Sequence, residues 1–344
     1  MNNVRLLQEL GYEVHYASNF KIPHYGSDNR RLEGTGVVCH QVDFVRSPFR
    51  LLRNIRAYGQ LCRLMREVPF TLIHCHTPMG GVLGRLAAER IRRTWKWERQ
   101  KAKGKGMETP YPQRGGERKK LRVIYTAHGF HFYKGASLIN WLLYFPVESL
   151  LAHWTDVLVT INREDYRRAK KFGAKKVAYV PGIGLDTAKF HPQGGIRAKK
   201  REELGMKDKD FLLLSVGELS KRKNHEVVIE ALARLKIFPE YAKIQYLICG
   251  QGAQEARLKY LADTLGVAGH VHFLGSREDA EELCECSDLF LFMSLQEGLP
   301  VALMEAMACG LPVICSRIRG NVDLVEDGVS GCIAENTPDG VAAF

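Results

Sequence analysis

The sequence lacks any run of about 18–20 uncharged apolar residues, the length that a membrane-spanning helix requires. The longest approach to one, LINWLLYFPVESLLAHW over residues 138–154, is interrupted by Pro146 and Glu148. The first residues, MNNVRLLQELGYEV, have no apolar segment after a basic one, so they do not form a secretory signal. These absences predict a cytoplasmic protein without a membrane span.

The sequence also lacks paired cysteines. Its nine cysteines are odd in number and scattered, and no Cys-x-x-Cys pair occurs. Cys284 and Cys286 stand close together but far from other metal ligands. Reduced, small apolar thiols are therefore expected, and a disulfide scaffold or a zinc site is not. No Walker A sequence is present, and no Asp-x-Asp pattern indicates a metal-held ligand. The prediction is no metal and no cofactor.

Acidic residues are scarce in the first half of the chain. Through residue 184, Lys and Arg exceed Asp and Glu by 18, whereas acids exceed bases by six in the remainder, for a net charge of +12. A basic half favours an anionic partner such as phospholipid, a lipid diphosphate or nucleic acid. A solvated basic face without a partner explains the same charge.

Short apolar runs are plentiful, and they alternate with helical patterns. The ten predicted strands are residues 13–18, 71–76, 122–128, 156–161, 176–181, 211–217, 244–250, 270–275, 289–294 and 312–316. Continuous apolar runs of this length are typical of parallel strands covered on both faces. Helices such as 224–238 and 254–266 lie between them, and Gly266 is placed as a helix stop. The pattern predicts a doubly wound α/β fold.

The strand–helix series occurs twice, separated by a Gly- and Pro-rich linker over residues 179–195. A length of 344 residues also suggests about two domains. We therefore predict domains over 1–184 and 185–344, with a ligand cleft at the carboxyl ends of the two sheets. Residues 92–122 carry twelve basic and three acidic residues and are predicted as a mobile basic loop. This insertion is either solvated or, helped by Trp95 and Trp97, a contact with a membrane surface.

The stretch EGLPVALMEAMACGLPV (residues 297–313) has the most specific pattern. It predicts a loop, a helix that runs from about Pro300 to residue 309, and a stop at Gly310. Free N–H groups of residues 298–301 would bind phosphate at the helix start, where Gly298 lets a ligand approach. Glu297 and Glu305 could each hold sugar or ribose hydroxyls. The structural alternative is that Glu297 only complements the helix dipole and Glu305 faces solvent.

This stretch resembles the Glu-x7-Glu motif of retaining family 4 glycosyltransferases of the GT-B fold, whose two Rossmann-like domains face each other across a cleft. The resemblance implies that Glu297 lies by the donor sugar as a catalytic residue. It also implies that Glu305 holds the ribose and that the backbone of Gly298 and Leu299 binds the diphosphate. The ligand would be a nucleotide-diphospho-sugar, with UDP expected.

Two further segments fit the donor side of this resemblance. In SVGELSKRKNHEVVIEAL (215–232), Gly217 ends a strand, and Lys223 matches the lysine of the family pattern. Glu218 stands where an arginine is common, which leaves Arg222 or Lys221 as substitutes. The Gly-Glu-Leu variant is similar to members that build capsule or exopolysaccharide.

The remaining segments belong to the first domain. In YTAHGFHFYKG (125–135), His128 matches the histidine that contacts the donor sugar, and it is predicted as catalytic, whereas His131 is predicted to pack. In IHCHTPMGGVLGRLAAER (73–90), four residues resemble the acceptor-side loop: His76, Thr77, Gly80 and Gly81. VHFLGSRED (271–279) resembles the segment that lines the base pocket, and the lone Gly-x-Gly at 250–252 is assigned no cofactor.

The resemblance covers almost the whole chain and also implies a truncation at both ends, with the first strand and the terminal helices of the family missing. The expected function is transfer of a hexose or N-acetylhexosamine from a UDP-sugar to a polyprenyl-diphosphate-linked saccharide. The resemblance also implies that the anomeric configuration of the sugar is retained. The enzyme is expected to work at the inner face of the plasma membrane, and no nucleic-acid partner is expected. Two alternatives stay open: a UDP-sugar epimerase on the same plan, and a non-catalytic protein that binds membrane or nucleic acid through residues 92–122.

Overall fold

The computed structural model describes residues 2–21, 32–45, 47–104, 113–114, 117–118, 120–182 and 184–344. The chain forms two compact units. The first contains Met1–Thr160 and Tyr166–Ala178, and the second contains Ile161–Asp165 and Tyr179–Phe344. Within the ranges given, no helix combines the length and the apolar character needed to cross a membrane.

The first unit is built from short parallel strands and long helices. Its strands are β1 (His15–Ser18), β2 (Val38–Gln41), β3 (Leu72–Cys75), the two-residue β4 (Gln113–Arg114) and β5 (Glu117–Arg118), β6 (Arg122–Ala127), β7 (Val157–Thr160) and β8 (Lys176–Tyr179), which ends at the unit boundary. Its helices are α1 (Asn2–Glu9), α2 (Leu51–Glu67), α3 (Pro78–Gly104), α4 (Leu138–Ala152) and α5 (Arg163–Ala169), which straddles the boundary.

Parallel pairing dominates this unit. Strands β3, β6, β7 and β8 form one sheet in that order, β1 pairs with β2 in parallel, and β4 pairs with β5 as a small antiparallel hairpin. Apolar faces of α2 and α3 pack together, with Leu61, Met65, Leu83 and Ile91 in one buried cluster. Because helices are needed to cross between parallel strands, the sequence alternation was a reliable guide here.

The prediction of a loop over residues 92–122 is wrong for residues 92–104, because α3 continues to Gly104. Glu89 and Arg93 form an ion pair one helical turn apart, at 2.8 Å. The guanidinium of Arg92 donates to the backbone oxygens of Leu121 and Trp154, which ties the helix to neighbouring segments. These contacts hold a helix whose sequence has no Gly or Pro between residues 85 and 102. Residues 105–112, 115–116 and 119 of the predicted loop lie outside the described residues.

The second unit contains a six-stranded parallel sheet. Its strands are β9 (Phe211–Val216), β10 (Ile244–Cys249), β11 (Val271–Gly275), β12 (Leu289–Phe292), β13 (Val313–Ser316) and β14 (Cys332–Ala334). Its helices are α6 (Arg197–Glu203), α7 (His225–Leu235), α8 (Glu255–Thr264), α9 (Ala280–Cys286), α10 (Val301–Ala308), α11 (Asn321–Leu324) and α12 (Pro338–Ala342).

The strand order of this sheet is β11-β10-β9-β12-β13-β14. The chain therefore builds outward from β9 in one direction and then returns to build outward from β12 in the other. This order is that of a Rossmann-type doubly wound sheet, in which ligands bind where the direction reverses. Two buried clusters cover the two faces of the sheet, one on α7 and α8 and the other on α9 and α10. The sheet thus directs the loops after β9 and β12 to one point.

All ten predicted strands are present. Four strands were not predicted, and each is short: Val38–Gln41, Gln113–Arg114, Glu117–Arg118 and Cys332–Ala334. The predicted helix at 300–309 starts one residue later, because Pro300 is the N-cap with extended backbone. Gly310 and Gly266 have positive φ directly beyond the ends of their helices, as predicted for helix stops.

Candidate active site

The reversal point of the second sheet carries a cluster of charged side chains. Lys223 and Arg222 lie in the loop after β9, and Glu297 lies in the loop after β12. The Lys223 ammonium is 2.9 Å from Glu297 Oε1, and a guanidinium nitrogen of Arg222 is 2.6 Å from the same oxygen. Arg222 also donates to the carbonyl of Gln296 at 3.1 Å. The structure therefore brings together three of the residues predicted for the donor site.

The three charges differ in their exposure. The side chains of Glu297 and Lys223 are 11% and 12% exposed, whereas that of Arg222 is 41% exposed. Burial lowers the pKa of Lys223, and the neighbouring Glu297 carboxylate acts in the opposite direction. The ammonium also lies 4.4 Å from the centre of the Phe292 ring, a cation–π distance. A second carboxylate, that of Glu218, lies 4.0 Å from the Arg222 guanidinium and is 65% exposed. Lys223 and Arg222 thus share Glu297 as the buried carboxylate partner, and each cation keeps N–H donors for an anionic ligand.

Glycine residues allow the main chains of the loops next to this site to approach each other closely. A Cβ on Gly250 would lie 1.9 Å from the carbonyl oxygen of Gly217, and its φ of +149° also disfavours a side chain. The amide of Gly217 donates to Cys249 O at 2.9 Å, and the amide of Gly250 donates to Gly275 O at 2.7 Å. The loops after β9, β10 and β11 are thus joined through main-chain contacts. Packing of this kind accounts for the Gly-x-Gly at 250–252, to which no cofactor was assigned.

Helix α10 begins beside Glu297. Within the described part of the chain, the amides of Gly298 and Leu299 donate to no protein acceptor. The N-cap, Pro300, has no N–H and provides no side-chain cap. Free amides at a helix start are a favourable place for phosphate oxygens. The predicted position of these two residues therefore agrees with a diphosphate-binding role, which stays a prediction.

Sequence reasoning missed Arg319. Its Nε donates to the backbone oxygen of Glu297 at 3.1 Å, and its guanidinium pairs with Asp165 at 2.6 Å. Both side chains are almost fully buried, at 4% and 0% exposed. Next to it, Gly320 has a φ of +84°, and a Cβ there would lie 2.5 Å from the oxygen of Gly298. Arg319 follows β13, so only the strand order reveals that it supports the loop after β12.

Glu305 lies in a different charge environment from Glu297. It sits on α10 and is half-buried, and burial raises its pKa. The nearby charges that affect this carboxylate are Lys189, which opposes the rise, and Glu281, which adds to it. Lys189 pairs with Glu281 at 3.1 Å. Glu305 is neither fully buried nor fully exposed, so its carboxylate keeps some access to solvent and its role stays a prediction.

The predicted residues of the first unit form a histidine cluster. His76 Nδ1 lies 3.0 Å from His128 Nε2, and the rings of His74 and His76 are 4.1 Å apart. The rings keep access to solvent, but neighbouring atoms remove part of their hydration. This desolvation lowers the pKa of all three, and for His76, with repulsion from the other two, to about 4. The cluster is therefore neutral near pH 7 and can accept or donate hydrogen bonds.

The loop between β3 and α3 positions this cluster. Thr77 has a φ of +61°, which is rare for a β-branched residue. The amide of Gly81 donates to the carbonyl of Thr77 at 2.8 Å, and that of Gly80 donates to the Thr77 hydroxyl at 3.4 Å. A Cβ on Gly81 would lie 2.5 Å from the Tyr125 ring. His131, predicted to pack, stacks on Tyr144 with ring centres 4.6 Å apart.

Family comparison identifies the chain. The family described as "Glycosyl transferase 4-like domain" matches residues 1–182, and the family described as "Glycosyl transferases group 1" matches residues 196–343. The chain belongs to the glycosyl transferase 4-like family. The enzyme is therefore a glycosyltransferase, as the motif at 297–313 predicted.

Two relatives extend the likeness over most of the glycosyltransferase. EpsD of Bacillus subtilis (strain 168), named as a glycosyltransferase, is 36% identical over 329 residues, which cover 94% of this chain and 76% of EpsD. An Escherichia coli enzyme named UDP-Gal:alpha-D-GlcNAc-diphosphoundecaprenol alpha-1,3-galactosyltransferase is 28% identical over 292 residues, which cover 83% of this chain and 67% of the relative.

Solved structures agree with the fold. HepE of Anabaena in complex with UDP and glucose matches with a TM-score of 0.69 and 21% identity, over 91% of this chain and 77% of that one. WaaG, a glycosyltransferase involved in lipopolysaccharide biosynthesis, matches with a TM-score of 0.67 and 20% identity, over 99% and 83%. The predicted α/β fold of the GT-B type, with Rossmann-like units, is thus confirmed.

Proposed function

We propose that this glycosyltransferase moves a hexose or N-acetylhexosamine from a UDP-sugar to a polyprenyl-diphosphate-linked saccharide, with retention at the anomeric carbon. The observation that carries the proposal is the contact of Glu297 with Lys223 and Arg222 at the reversal point of the second sheet. Support for the donor and acceptor classes comes from the relative that uses UDP-Gal and a diphosphoundecaprenol-linked sugar. The Gly-Glu-Leu variant at residues 217–219, which resembles members that build capsule or exopolysaccharide, supports a role in the synthesis of such a polysaccharide.

In this proposal, the diphosphate of the donor binds to the two cations and to the free amides of Gly298 and Leu299. Lysine and arginine have several N–H donors each, so both can hold Glu297 and a phosphate oxygen at once. These groups stabilise the negative charge that develops on the leaving diphosphate. Since the cations and amides supply that stabilisation, we propose that no metal is required.

The remaining residues have supporting roles in the proposal. Glu305 binds ribose hydroxyls, and the half-buried setting of its carboxylate suits a hydroxyl ligand. In the second unit, Glu297 orients the donor sugar, and Gly217 gives room for the stem of Lys223, whose Cε would lie 3.1 Å from an added Cβ. In the first unit, the neutral His128 is proposed to accept a hydrogen bond from a sugar hydroxyl. His76, Thr77, Gly80 and Gly81 form the acceptor side.

The test is transfer by Glu297→Ala and Glu297→Gln variants. UDP release is measured with UDP-sugars and a short-chain polyprenyl-diphosphate saccharide. A loss of about 10²–10³ in turnover is expected, because the donor sugar and both cations lose their carboxylate partner. Glu326→Gln, which changes an exposed glutamate of the same unit, is the matched control. Unchanged turnover in both Glu297 variants would contradict the assignment.

An acceptor-free arm distinguishes transfer from epimerisation. A transferase leaves the UDP-sugar stereochemistry unchanged without an acceptor, whereas an epimerase converts it. Conversion of the donor in that arm would replace the proposed reaction by the alternative one.

A further inference from the structure

Helix α4 of the first unit has an outer face made of large apolar side chains. Six of them line this face, and we call them the α4 stripe: Leu138, Ile139, Leu142, Leu143, Val147 and Leu150. Leu138, Leu142 and Ile139 are 81%, 75% and 66% exposed. Residues three and four positions apart lie on one side of a helix, so the stripe is continuous. A water-exposed apolar surface of this extent indicates an interaction site.

The inner side of α4 carries the one charged residue of the helix and an aromatic residue that packs against neighbouring rings. Glu148, the only charged residue of the helix, is buried and pairs with Arg85 at 2.7 Å. Phe145 packs against Phe132 and Phe172, with ring centres 5.5 and 5.6 Å apart. Pro146 does not end the helix, which continues to Ala152. Of the two residues that interrupt the apolar run in the sequence, Glu148 is buried against the core and Pro146 is exposed but uncharged, so the outer stripe has no charge.

Cations border the stripe. The guanidinium of Arg168 on α5 lies 4.5 Å from the centre of the Trp141 ring on α4, which places the two helices side by side. The end of α5 and the turn after it expose Arg167, Lys170 and Lys171. An apolar strip with lysine and arginine at its edge is the arrangement that binds at the surface of an anionic bilayer. A second copy that docked through the same face would instead meet these cations with like charge.

A second segment of the first unit has the same chemistry. At the start of α2, the side chains of Phe49, Leu51, Leu52 and Ile55 are exposed, with Arg50 and Arg53 between them. The sequence from Phe44 to Arg66 contains no aspartate or glutamate. Two exposed apolar segments, each beside cations, favour a lipid surface over a single protein groove.

We propose that the α4 stripe binds the interfacial region of an anionic lipid bilayer. The inference deepens the proposed function, on which it rests for the lipid-linked acceptor, because it assigns a surface through which the enzyme meets the membrane. It also places that contact on α4 instead of on the basic segment at 92–122. The stripe would lie along the bilayer surface with its side chains among the headgroups and upper acyl chains, since the helix is too short to cross.

The test uses the full chain and vesicles of phosphatidylglycerol mixed with phosphatidylcholine. Sedimentation of vesicles measures the bound fraction for wild type, for an Ile139→Glu/Leu142→Glu double variant, and for Ile237→Glu. Ile237 is an exposed isoleucine of the second unit, at 81% against 66% for Ile139, and serves as the control for an added charge on an exposed apolar position. We expect wild type and Ile237→Glu to bind alike and the double variant to bind at least tenfold more weakly.

Three results would overturn the proposal: no binding by wild type, equal binding by the double variant, or self-association of wild type without lipid that the double variant abolishes. Thermal unfolding of each variant verifies that the fold is kept. UDP release with a short-chain acceptor in solution needs no bilayer, so the double variant should retain it. Loss of that activity with vesicle binding intact would count against the proposed reaction and not against the surface.

Discussion

At the scale of the residue, His225 is a buried titratable group next to Lys223, one of the two cations of the proposed donor site. It starts α7 directly after Lys223 and Asn224, and it is 5% exposed. Its Nδ1 lies 3.3 Å from the Tyr246 hydroxyl, whereas its Nε2 has no protein partner among the described residues. A cavity of about 10 Å³ beside it has room for one water molecule. Burial, together with the neighbouring Lys223, lowers the pKa of His225 to about 4.

This histidine predicts a pH dependence of stability. As pH falls from about 6.5, the unfolded chain takes up a proton on His225 that the folded state does not accept until about pH 4. Because the folded pKa is the lower one, folding free energy is lost across that window, by up to about 3 kcal/mol at its acidic end. Urea unfolding at pH 7, 5.5 and 4.5 measures the loss, which His225→Gln should reduce.

The control for this prediction is His191→Gln, at an exposed histidine of the same unit. It should keep the pH dependence of the wild type. If His225→Gln keeps the full dependence as well, another group is responsible for it.

At the scale of the element, α3 and α4 are joined by a buried ion pair. Arg85 on α3 is fully buried and lies 3.9 Å from the centre of the Tyr125 ring, and its Nε donates to Gly81 O at 2.8 Å. The Glu148 carboxylate of α4 accepts from Arg85 at 2.7 Å and from the Tyr125 hydroxyl at 3.2 Å. The network lies directly behind the predicted acceptor-side glycines, so it fixes both that loop and the helix that carries the apolar stripe.

Removing one partner of this pair should cost far more than removing both. Glu148→Leu leaves the Arg85 charge buried and alone, which should lower the free energy of unfolding by about 3–5 kcal/mol. The Arg85→Met/Glu148→Leu double variant should lose less than the sum of the single losses. Urea unfolding of the wild type, the two single variants and the double variant measures this coupling.

The exposed Glu255–Lys259 pair, whose members lie four residues apart on α8 with charged atoms 2.7 Å apart, provides a comparison with an ion pair in water. Its removal should cost about 0.3–0.5 kcal/mol. A cost of that size for Glu148→Leu would mean that the buried pair contributes little to the joining of α3 and α4.

At the scale of the molecule, charge is distributed unevenly along the chain: basic residues are in excess through residue 184, and acidic residues are in excess after it. The acidic unit nevertheless places Lys223 and Arg222 together at Glu297, so local placement and not net charge determines what this unit can bind. Basic residues of the first unit are spread over α2, α3 and α5. This spread agrees better with a broad anionic surface than with a single small ligand.

Nucleotide binding gives the prediction at this scale. A ligand at 100 times its dissociation constant stabilises the folded state by about 2.7 kcal/mol, so UDP-sugars should raise the midpoint of thermal unfolding. Lys223→Ala should abolish most of the shift, and Arg222→Ala should remove less, because the Arg222 side chain is more open to water. Equal shifts with GDP- and ADP-sugars would contradict the choice of UDP, and no shift with any of them would contradict the donor site.

Much of the fold could be predicted because buried parallel strands are continuous apolar runs, which Phe211–Val216 and Ile244–Cys249 illustrate. Val38–Gln41 was missed because half of its residues are exposed and its sequence, VCHQ, has no apolar run. The charge of the basic segment after Arg92 predicts a loop. Its residues up to Gly104 are good helix formers, however, and Arg92 holds the helix by donating to the Trp154 carbonyl. Charge alone does not indicate where a helix ends.

The site was predictable where its residues are close in sequence and not where they meet only in space. Glu297, Gly298 and Leu299 share one motif, and their position at a helix start followed from Pro300 and Gly310. Arg319 and Asp165 are 154 residues apart, and their pairing beneath the loop depends on the strand order of the sheet. The inward orientation of Glu148 likewise needed the partner Arg85, which lies 63 residues away.

The three loops that meet at Gly217, Gly250 and Gly275 hold one another through main-chain atoms alone. If the proposed sugar-nucleotide donor binds here, exchanges at intervening positions such as Glu218 and Lys221 would alter the side chains near it while the main-chain contacts of the three loops stay in place. The enzyme offers a starting point for redirecting donor preference by side-chain replacement, provided that the small residues of the frame are left untouched.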